Sequence, residues 1–187
     1  MIHNVFFIII VTAALMFLDF YLTIKGARLY TQGYSEHIKA DNYEMNPMFQ
    51  KNVAEFKYNF RHLLYVVLVS LLIYLFYYLS QKNIIYNSQS FAIIPGLLFT
   101  TMVYINANHL RNIVIFKALK KNPNMLKGQI EQTYLYSLKT AQAQLLVLLL
   151  PLLVILIMSP SYFVLGGVIA LIGSYFTHRR WKKKATV

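Results

Sequence analysis

The sequence predicts an all-α protein, a polytopic transmembrane helical bundle of about five membrane-spanning helices with no β-sheet. Hydrophobic residues make up 58% of the 187 residues and charged residues only 13%, whereas a soluble domain usually carries about 25% charged residues. The apolar residues are concentrated in long runs, and about 20 residues of helix cross the roughly 30 Å hydrocarbon core of a bilayer. The formal net charge is +12, and nearly all the Lys and Arg residues lie in the segments that follow the first, third and fifth apolar runs.

The apolar runs predict five helices within a single integral membrane domain that covers residues 1–187. No Lys or Arg precedes the first run and no small-x-small cleavage site follows it, so we interpret it as a span rather than a signal peptide. Ser159, Pro160 and Ser161 predict a tight hairpin between the last two helices. The alternative is that these two helices form a re-entrant pair that does not cross. The predicted helices cover residues 5–24, 62–80, 91–112, 137–158 and 161–177.

The distribution of Lys and Arg predicts the orientation of the chain. Segments 25–61 and 111–139 hold six each and the tail 178–187 holds five, whereas residues 81–90 hold only Lys82. Five spans place the three basic segments on one side, and basic loops are retained in the cytoplasm. We therefore expect a multi-pass protein of the cell (cytoplasmic) membrane with its N-terminus outside and its C-terminus inside.

Composition also excludes several classes of chemistry. The chain has no cysteine, which excludes disulfides, thiolate catalysis and cysteine-based zinc sites. The glycine-rich phosphate-binding and dinucleotide-binding motifs, the serine-hydrolase elbow and the zinc-protease motif are absent. The basic segments are expected to contact membrane lipids, including anionic lipids at the cytoplasmic face. Nucleic acid is not expected as a partner, since no base-reading module accompanies the charge.

One small-residue pattern bears on helix packing. Gly166, Ala170 and Ser174 recur every four residues on the predicted fifth helix, and such a stripe lets two helices approach closely. We expect it to serve packing within the chain, with a dimer face as the alternative. The oligomeric state itself is left open.

Asp19 is the acidic residue inside an apolar run, and it is the first candidate for chemistry. An acid at membrane depth costs a few kcal/mol and typically faces the interior of a bundle, beside a partner. Thr23 lies one turn further along the same face. The third predicted helix ends in an unusually polar stretch, whose members are Asn106, Asn108, His109, Arg111 and Asn112.

The segment after the first helix adds further candidates. Glu44 and Asn46 precede Pro47 in a predicted turn, and Arg61 and His62 open the second helix. Because the helix directions place all these groups at the cytoplasmic level, we expect them to converge in one site. The catalytic candidates are Asp19, His109 and Glu44. The binding candidates are Asn106, Asn108, Asn112, Arg61, His62, Arg111, Thr23 and Asn46. Asp19, Glu44, His62 and His109 are ligand types that could hold a divalent metal; the cofactor is otherwise left open.

The polar residues support three functional hypotheses. The first is a membrane-embedded enzyme acting on a lipid or lipid-linked substrate, with the carboxylates and imidazoles as acid and base. The second is a small transporter or channel in which Asp19 and His109 relay a proton or cation. The third is a non-catalytic assembly subunit. We further expect Asp19 and His109 to face one cavity, with Asn106 or Asn112 within hydrogen-bonding reach of one of them, and Arg61 or Arg111 as counter-charge for an ionised Asp19.

Overall fold

The computed structural model describes residues 4–41, 43–57, 60–82 and 89–185. These residues form six α-helices and two short β-strands. The elements are α1 (Val5–Thr31), β1 (Ile38–Ala40), α2 (Gln50–Ala54), α3 (Phe60–Gln81), α4 (Ile93–Lys121), β2 (Ile130–Gln132), α5 (Tyr134–Met158) and α6 (Tyr162–Ala185). The prediction of an all-α class is therefore confirmed at the level of the helical architecture.

Four helices are long and apolar enough to cross a membrane: α1, α3, α4 with its preceding turn, and α5. The fifth predicted helix is present as α6 but is not among these four, because its apolar part is followed by the basic stretch that begins at Arg179. Helices α1, α4 and α6 continue about two turns beyond the predicted ends of their apolar runs. Much of the apolar surface of α3 and α5 faces outward, including Leu71, Val147 and Ile157, which is unfavourable in water.

Helix α4 lies at the centre of the bundle. It packs against α1 on one side and α6 on another, while α3 packs against α1 and α5 packs against α6. Helices α4 and α5 are joined mainly through α6 rather than through each other. This arrangement leaves a groove between α4 and α5, with Phe163 and Leu171 of α6 in its lining.

The prediction that the chain has no sheet is wrong. Strands β1 and β2 pair in parallel, with Ile38 opposite Ile130 and Ala40 opposite Gln132. Both strands follow helices, α1 and α4, that end at the same end of the bundle, so the two segments leave in the same direction and pair in parallel. Three residues are too few to show the alternation that identifies a strand in a sequence. We call this end of the bundle the sheet end.

An apolar cluster holds the segment between α1 and α3 against the sheet end. It is built from Phe20, Ile24 and Ala27 of α1 and Val53 of α2, with Phe49 packed against it. Burial of these side chains holds the loop that precedes α2 close to the last turns of α1. The loop thereby becomes part of the wall of the bundle.

Two glycines allow α4 and α6 to approach at van der Waals distance. A methyl group at Gly96 would overlap the main-chain carbonyl of Phe163, and one at Gly166 would overlap the carbonyl of Ile93. The expected packing role of Gly166 within the chain is therefore present. Gly173, two turns further along α6, has open space where a methyl group would lie.

We expect Gly166→Ala to lower the melting temperature in detergent, because the added methyl group forces α4 and α6 apart. Overpacking of this kind costs about 1–3 kcal/mol, and each kcal/mol corresponds to about 2–4 °C in a chain of this size. Gly173→Ala is the matched control and should be neutral or slightly stabilising, since alanine favours helix over glycine. Equal effects of the two substitutions would contradict the close contact at Gly166.

Candidate functional site

The central contact of the site joins α1 to α4. Asp19 Oδ1 lies 3.2 Å from His109 Nε2, so the structure brings together the two residues that the sequence placed at one level. The Thr23 hydroxyl lies 3.0 Å from the same ring nitrogen. Asp19 and Thr23 are four residues apart and share the face of α1 that packs against α4.

The hydrogen bonds around Thr23 assign the proton of the neutral His109 ring. The Thr23 hydroxyl donates to the main-chain oxygen of Asp19 at 2.9 Å, so its oxygen accepts from His109 Nε2–H. The approach of Asp19 Oδ1 to Nε2 is an electrostatic contact, without the direction of a hydrogen bond. His109 Nδ1 then carries a lone pair, and it is buried with no hydrogen-bond partner among the described residues. The ring is held at one nitrogen and left basic at the other.

Glu44 joins this pair from the loop between β1 and α2. Its Oε1 accepts a hydrogen bond of 2.7 Å from the main-chain N–H of Asn46, and Asn46 Oδ1 accepts one from Met48 at 3.1 Å. Burial raises the pKa of Glu44; the nearby His109 opposes this rise, and the negative charge of Asp19 adds to it. Glu44 is therefore within electrostatic reach of both members of the central contact.

These groups border a polar pocket of ≈ 290 Å³. Nine of the residues singled out from the sequence line it. They are Asp19, Thr23, Glu44, Asn46, His62, Asn108, His109, Arg111 and Asn112. The convergence of polar groups expected from helix direction is thus present in the geometry.

Asn106 and Arg61 do not line the polar pocket. Asn106 is buried, and its amide nitrogen donates to the main-chain oxygens of Leu15 at 3.1 Å and Met102 at 2.8 Å. The amide is therefore turned toward the backbone of α1, one turn away from the Asp19 contact. Arg61 lies exposed at the start of α3.

The expected amide partner of Asp19 or His109 is replaced by the Thr23 hydroxyl. Asn112 is engaged elsewhere, because its Oδ1 accepts hydrogen bonds from the Arg111 guanidinium at 3.1 and 3.3 Å. Among the ion pairs of the described residues, His109 is the only partner of Asp19. The expected counter-charge from Arg61 or Arg111 is not found there.

His62 is held by α1 rather than by the acidic groups. Its Nε2 lies 3.0 Å from the main-chain oxygen of Met16, and its ring stacks on Phe20 at 4.4 Å between centroids. In the part of the chain that the structure describes, no three His, Asp or Glu side chains are arranged to hold a metal ion. The geometry thus does not assemble the set of Asp19, Glu44, His62 and His109 as metal ligands.

Several lining residues were missed by the sequence reasoning. Tyr43 and Phe49 come from the loop, Gln144 from α5, and His178 and Trp181 from α6. Gln144 directly precedes the apolar run of α5, and His178 follows that of α6, so the argument from helix level applied to α5 and α6 would have found both.

A larger apolar groove of ≈ 870 Å³ adjoins the polar pocket between α4 and α5. Its walls include Val103 and Ala107 of α4 and Val147 and Leu148 of α5. Four residues line both cavities: Tyr104, Asn108, Arg111 and Gln144. The site is therefore a polar pocket with an apolar extension.

We expect Glu44→Gln to stabilise the protein at neutral pH, because the buried carboxylate is costly when ionised and Gln keeps the oxygen that accepts from Asn46. The pKa of Glu44 is raised in the folded state, so ionisation costs stability at pH values above the folded pKa. The advantage of the variant should shrink as the pH falls through the folded pKa and vanish below the unfolded value of about 4.5.

Thermal unfolding measured from pH 4 to pH 8 tests this expectation. Glu36→Gln is the control, since Glu36 is exposed and its replacement should leave the pH dependence unchanged. A Glu44→Gln variant that is less stable than the wild type at neutral pH would show that the ionised carboxylate contributes to the fold.

Comparison of the chain with protein-family models, with curated proteins and with solved structures gave no match. The function is therefore argued from the site's own chemistry. That chemistry consists of an acid–histidine pair, a second carboxyl group from Glu44 and an apolar groove that adjoins them.

Proposed function

We propose that this protein is a membrane-embedded enzyme that acts on the polar head of a lipid or lipid-linked substrate in the cytoplasmic leaflet. The observation that carries the proposal is the shared wall of the two cavities, where Asn108, Arg111 and Gln144 border both the polar pocket and the apolar groove. A molecule with a polar head and a long apolar tail matches this pair of cavities. Such a substrate would enter sideways from the bilayer.

The proposed chemistry is general acid–base catalysis centred on His109. Its Nδ1 has no hydrogen-bond partner among the described residues and is buried, so it would accept a proton from a hydroxyl group of the substrate or from water once a ligand in the polar pocket reaches the ring. Asp19 Oδ1, at 3.2 Å from Nε2, stabilises the positive charge that the ring then carries, as a carboxylate does beside a catalytic histidine. Glu44, whose pKa is raised by burial, holds a proton nearby at a pH where an exposed glutamate has lost its own.

We place this enzyme in the cell membrane with five spans, the N-terminus outside and the C-terminus inside. The helices α1, α4 and α6 all end at the sheet end, where the basic segments also lie. Because Lys and Arg are retained in the cytoplasm, the sheet end is assigned to the cytoplasmic side. Helix α6 is included as the fifth span, since it packs along both α4 and α5. Anionic lipids would contact the basic segments at this face.

The orientation can be tested with single cysteines, because the chain has none of its own. We expect Gln81→Cys and Ser159→Cys to react with an impermeant reagent added outside intact cells. Lys127→Cys and Arg180→Cys should react only after the cytoplasmic side is opened. Protection of Ser159→Cys from both sides would instead favour the re-entrant arrangement of α5 and α6, and labelling of Lys127→Cys from outside would overturn the orientation.

The enzymatic proposal is tested by the lipid content of membranes that contain wild-type protein, Asp19→Asn or His109→Gln. We expect a lipid species to be consumed in the presence of the wild type, at a rate that each substitution lowers about 10²-fold or more, the usual contribution of an acid–base group. The rate is measured by mass spectrometry of lipid extracts from proteoliposomes made with native lipids.

His37→Gln is the matched control, since His37 lies near the sheet, contacts Gly128 and borders neither cavity of the site. It should keep the wild-type rate. Folding of each variant is verified by its melting temperature. If wild-type protein changes no lipid, or if folded His109→Gln keeps the full rate, the enzymatic proposal is wrong.

A further inference from the structure

Arg111 stands where three cavities meet. It lines the apolar groove, the polar pocket and a third cavity of ≈ 470 Å³ at the sheet end. The third cavity is bordered by Tyr30, Tyr34 and Tyr136, among others. Gln144 of α5 also borders all three. Both side chains therefore stand on the wall that the groove shares with the polar pocket.

The groove has the length of one bilayer leaflet. Its α4 wall extends from Phe99 to Arg111, which is about 18 Å of helix, and half of a hydrocarbon core is about 15 Å. The wall between these residues is mostly apolar, and Arg111 is the charged residue of the lining. The groove thus carries its single charge at the end that adjoins the polar pocket.

Among the described residues, no carboxylate forms an ion pair with Arg111. Its Nε and Nη2 donate to the Asn112 side chain, which orients the guanidinium. The group has five N–H donors, and no described residue accepts a hydrogen bond from the others. A guanidinium with free donors recognises a phosphate group. The Gln144 amide lies on the opposite wall and is a second source of donors.

We propose that the groove binds a phosphate-bearing lipid, with one hydrocarbon chain between α4 and α5 and the phosphate on Arg111. This inference rests on the proposed function and narrows its substrate to a lipid phosphate. Charge complementarity at a single end selects this occupant over a neutral lipid, because a neutral lipid leaves the guanidinium without an anion. The tyrosine-lined cavity provides space for a substituent beyond the phosphate.

Native mass spectrometry of the purified full chain tests the proposal with dioleoyl phosphatidic acid as the probe. We expect one tightly bound probe molecule per chain. Dioleoylglycerol, which lacks the phosphate, and glycerol 3-phosphate, which lacks the chains, should each bind at least about 10-fold more weakly, as expected for loss of a charged hydrogen bond or of apolar burial. Equal binding of dioleoylglycerol would show that the groove takes any apolar chain, and equal binding of glycerol 3-phosphate would show a site for free phosphate.

The matched variants are Arg111→Gln and Arg180→Gln, which remove the same charge from the groove and from the exposed basic tail. Arg111→Gln should weaken binding of phosphatidic acid about 10-fold or more, and Arg111→Lys should fall between it and the wild type because lysine cannot form the paired contacts. Arg180→Gln should stay within about twofold of the wild type, because Arg180 lines none of the three cavities that Arg111 borders. Equal losses for the two Gln variants would overturn the proposal and indicate general attraction to a basic surface.

Ala107→Phe provides a second test that leaves the charge in place. The larger side chain fills the groove and should weaken phosphatidic acid binding while leaving glycerol 3-phosphate binding unchanged. Unaltered binding of phosphatidic acid to this variant would show that the chain lies elsewhere. Loss of the lipid on formation of a dimer would show that a second copy occupies the groove.

His109→Gln separates this inference from the enzymatic proposal, because His109 does not line the groove. If phosphatidic acid binding depends on Arg111 while no lipid conversion depends on His109, the enzymatic proposal fails and the binding site stands. If conversion depends on His109 but phosphatidic acid binding is insensitive to Arg111, the binding site fails alone.

Discussion

The contact between α1 and α4 is the interaction on which the other parts of the structure depend. An acid within an apolar helix needs a partner inside the bundle, and α4 supplies His109 to Asp19 and, one turn earlier, the Asn106 amide to the Leu15 carbonyl. These polar contacts orient the two helices with their C-terminal ends together. The segments that follow therefore leave side by side, and β1 and β2 pair in parallel. A polar contact inside the helices thus determines where the loops meet.

The paired loops in turn bring Glu44 to the helices. The sheet joins the segment after α1 to the segment before α5, and Tyr134 at the start of α5 donates its hydroxyl hydrogen to the Met45 carbonyl at 2.9 Å. On the other side, the absence of a side chain at Gly26 lets Tyr43 pack against α1. With both neighbours of Glu44 held, its carboxyl group is kept in a buried position where ionisation is costly. The buried acid is therefore a consequence of loop packing rather than of a helix.

Helix α6 has a different role, since it separates α4 from α5 while packing against both. The glycine contacts bring α6 and α4 close together near Gly96 and Gly166, whereas α5 is displaced enough to leave the apolar groove. The same arrangement places Gln144 of α5 opposite Arg111 of α4 at the mouth of the polar pocket. The close contact between α4 and α6 and the open space between α4 and α5 together create a site for an amphipathic molecule.

The sequence by itself determined the helical class and which polar groups share a level along the bundle, because apolar runs set where helices lie and helix direction sets which residues share a level. That is why Asp19, Glu44 and His109 could be assigned to one site. Only the tertiary structure decided how each helix is rotated about its axis and which partner each polar side chain contacts. Asn106 and His62 donate to backbone carbonyls of α1, and Thr23 takes the place expected for an amide. The strands and the groove also depend on contacts between segments far apart in the chain. The local periodicity of the sequence does not predict such contacts, because their energies come from side chains that meet only after the helices pack.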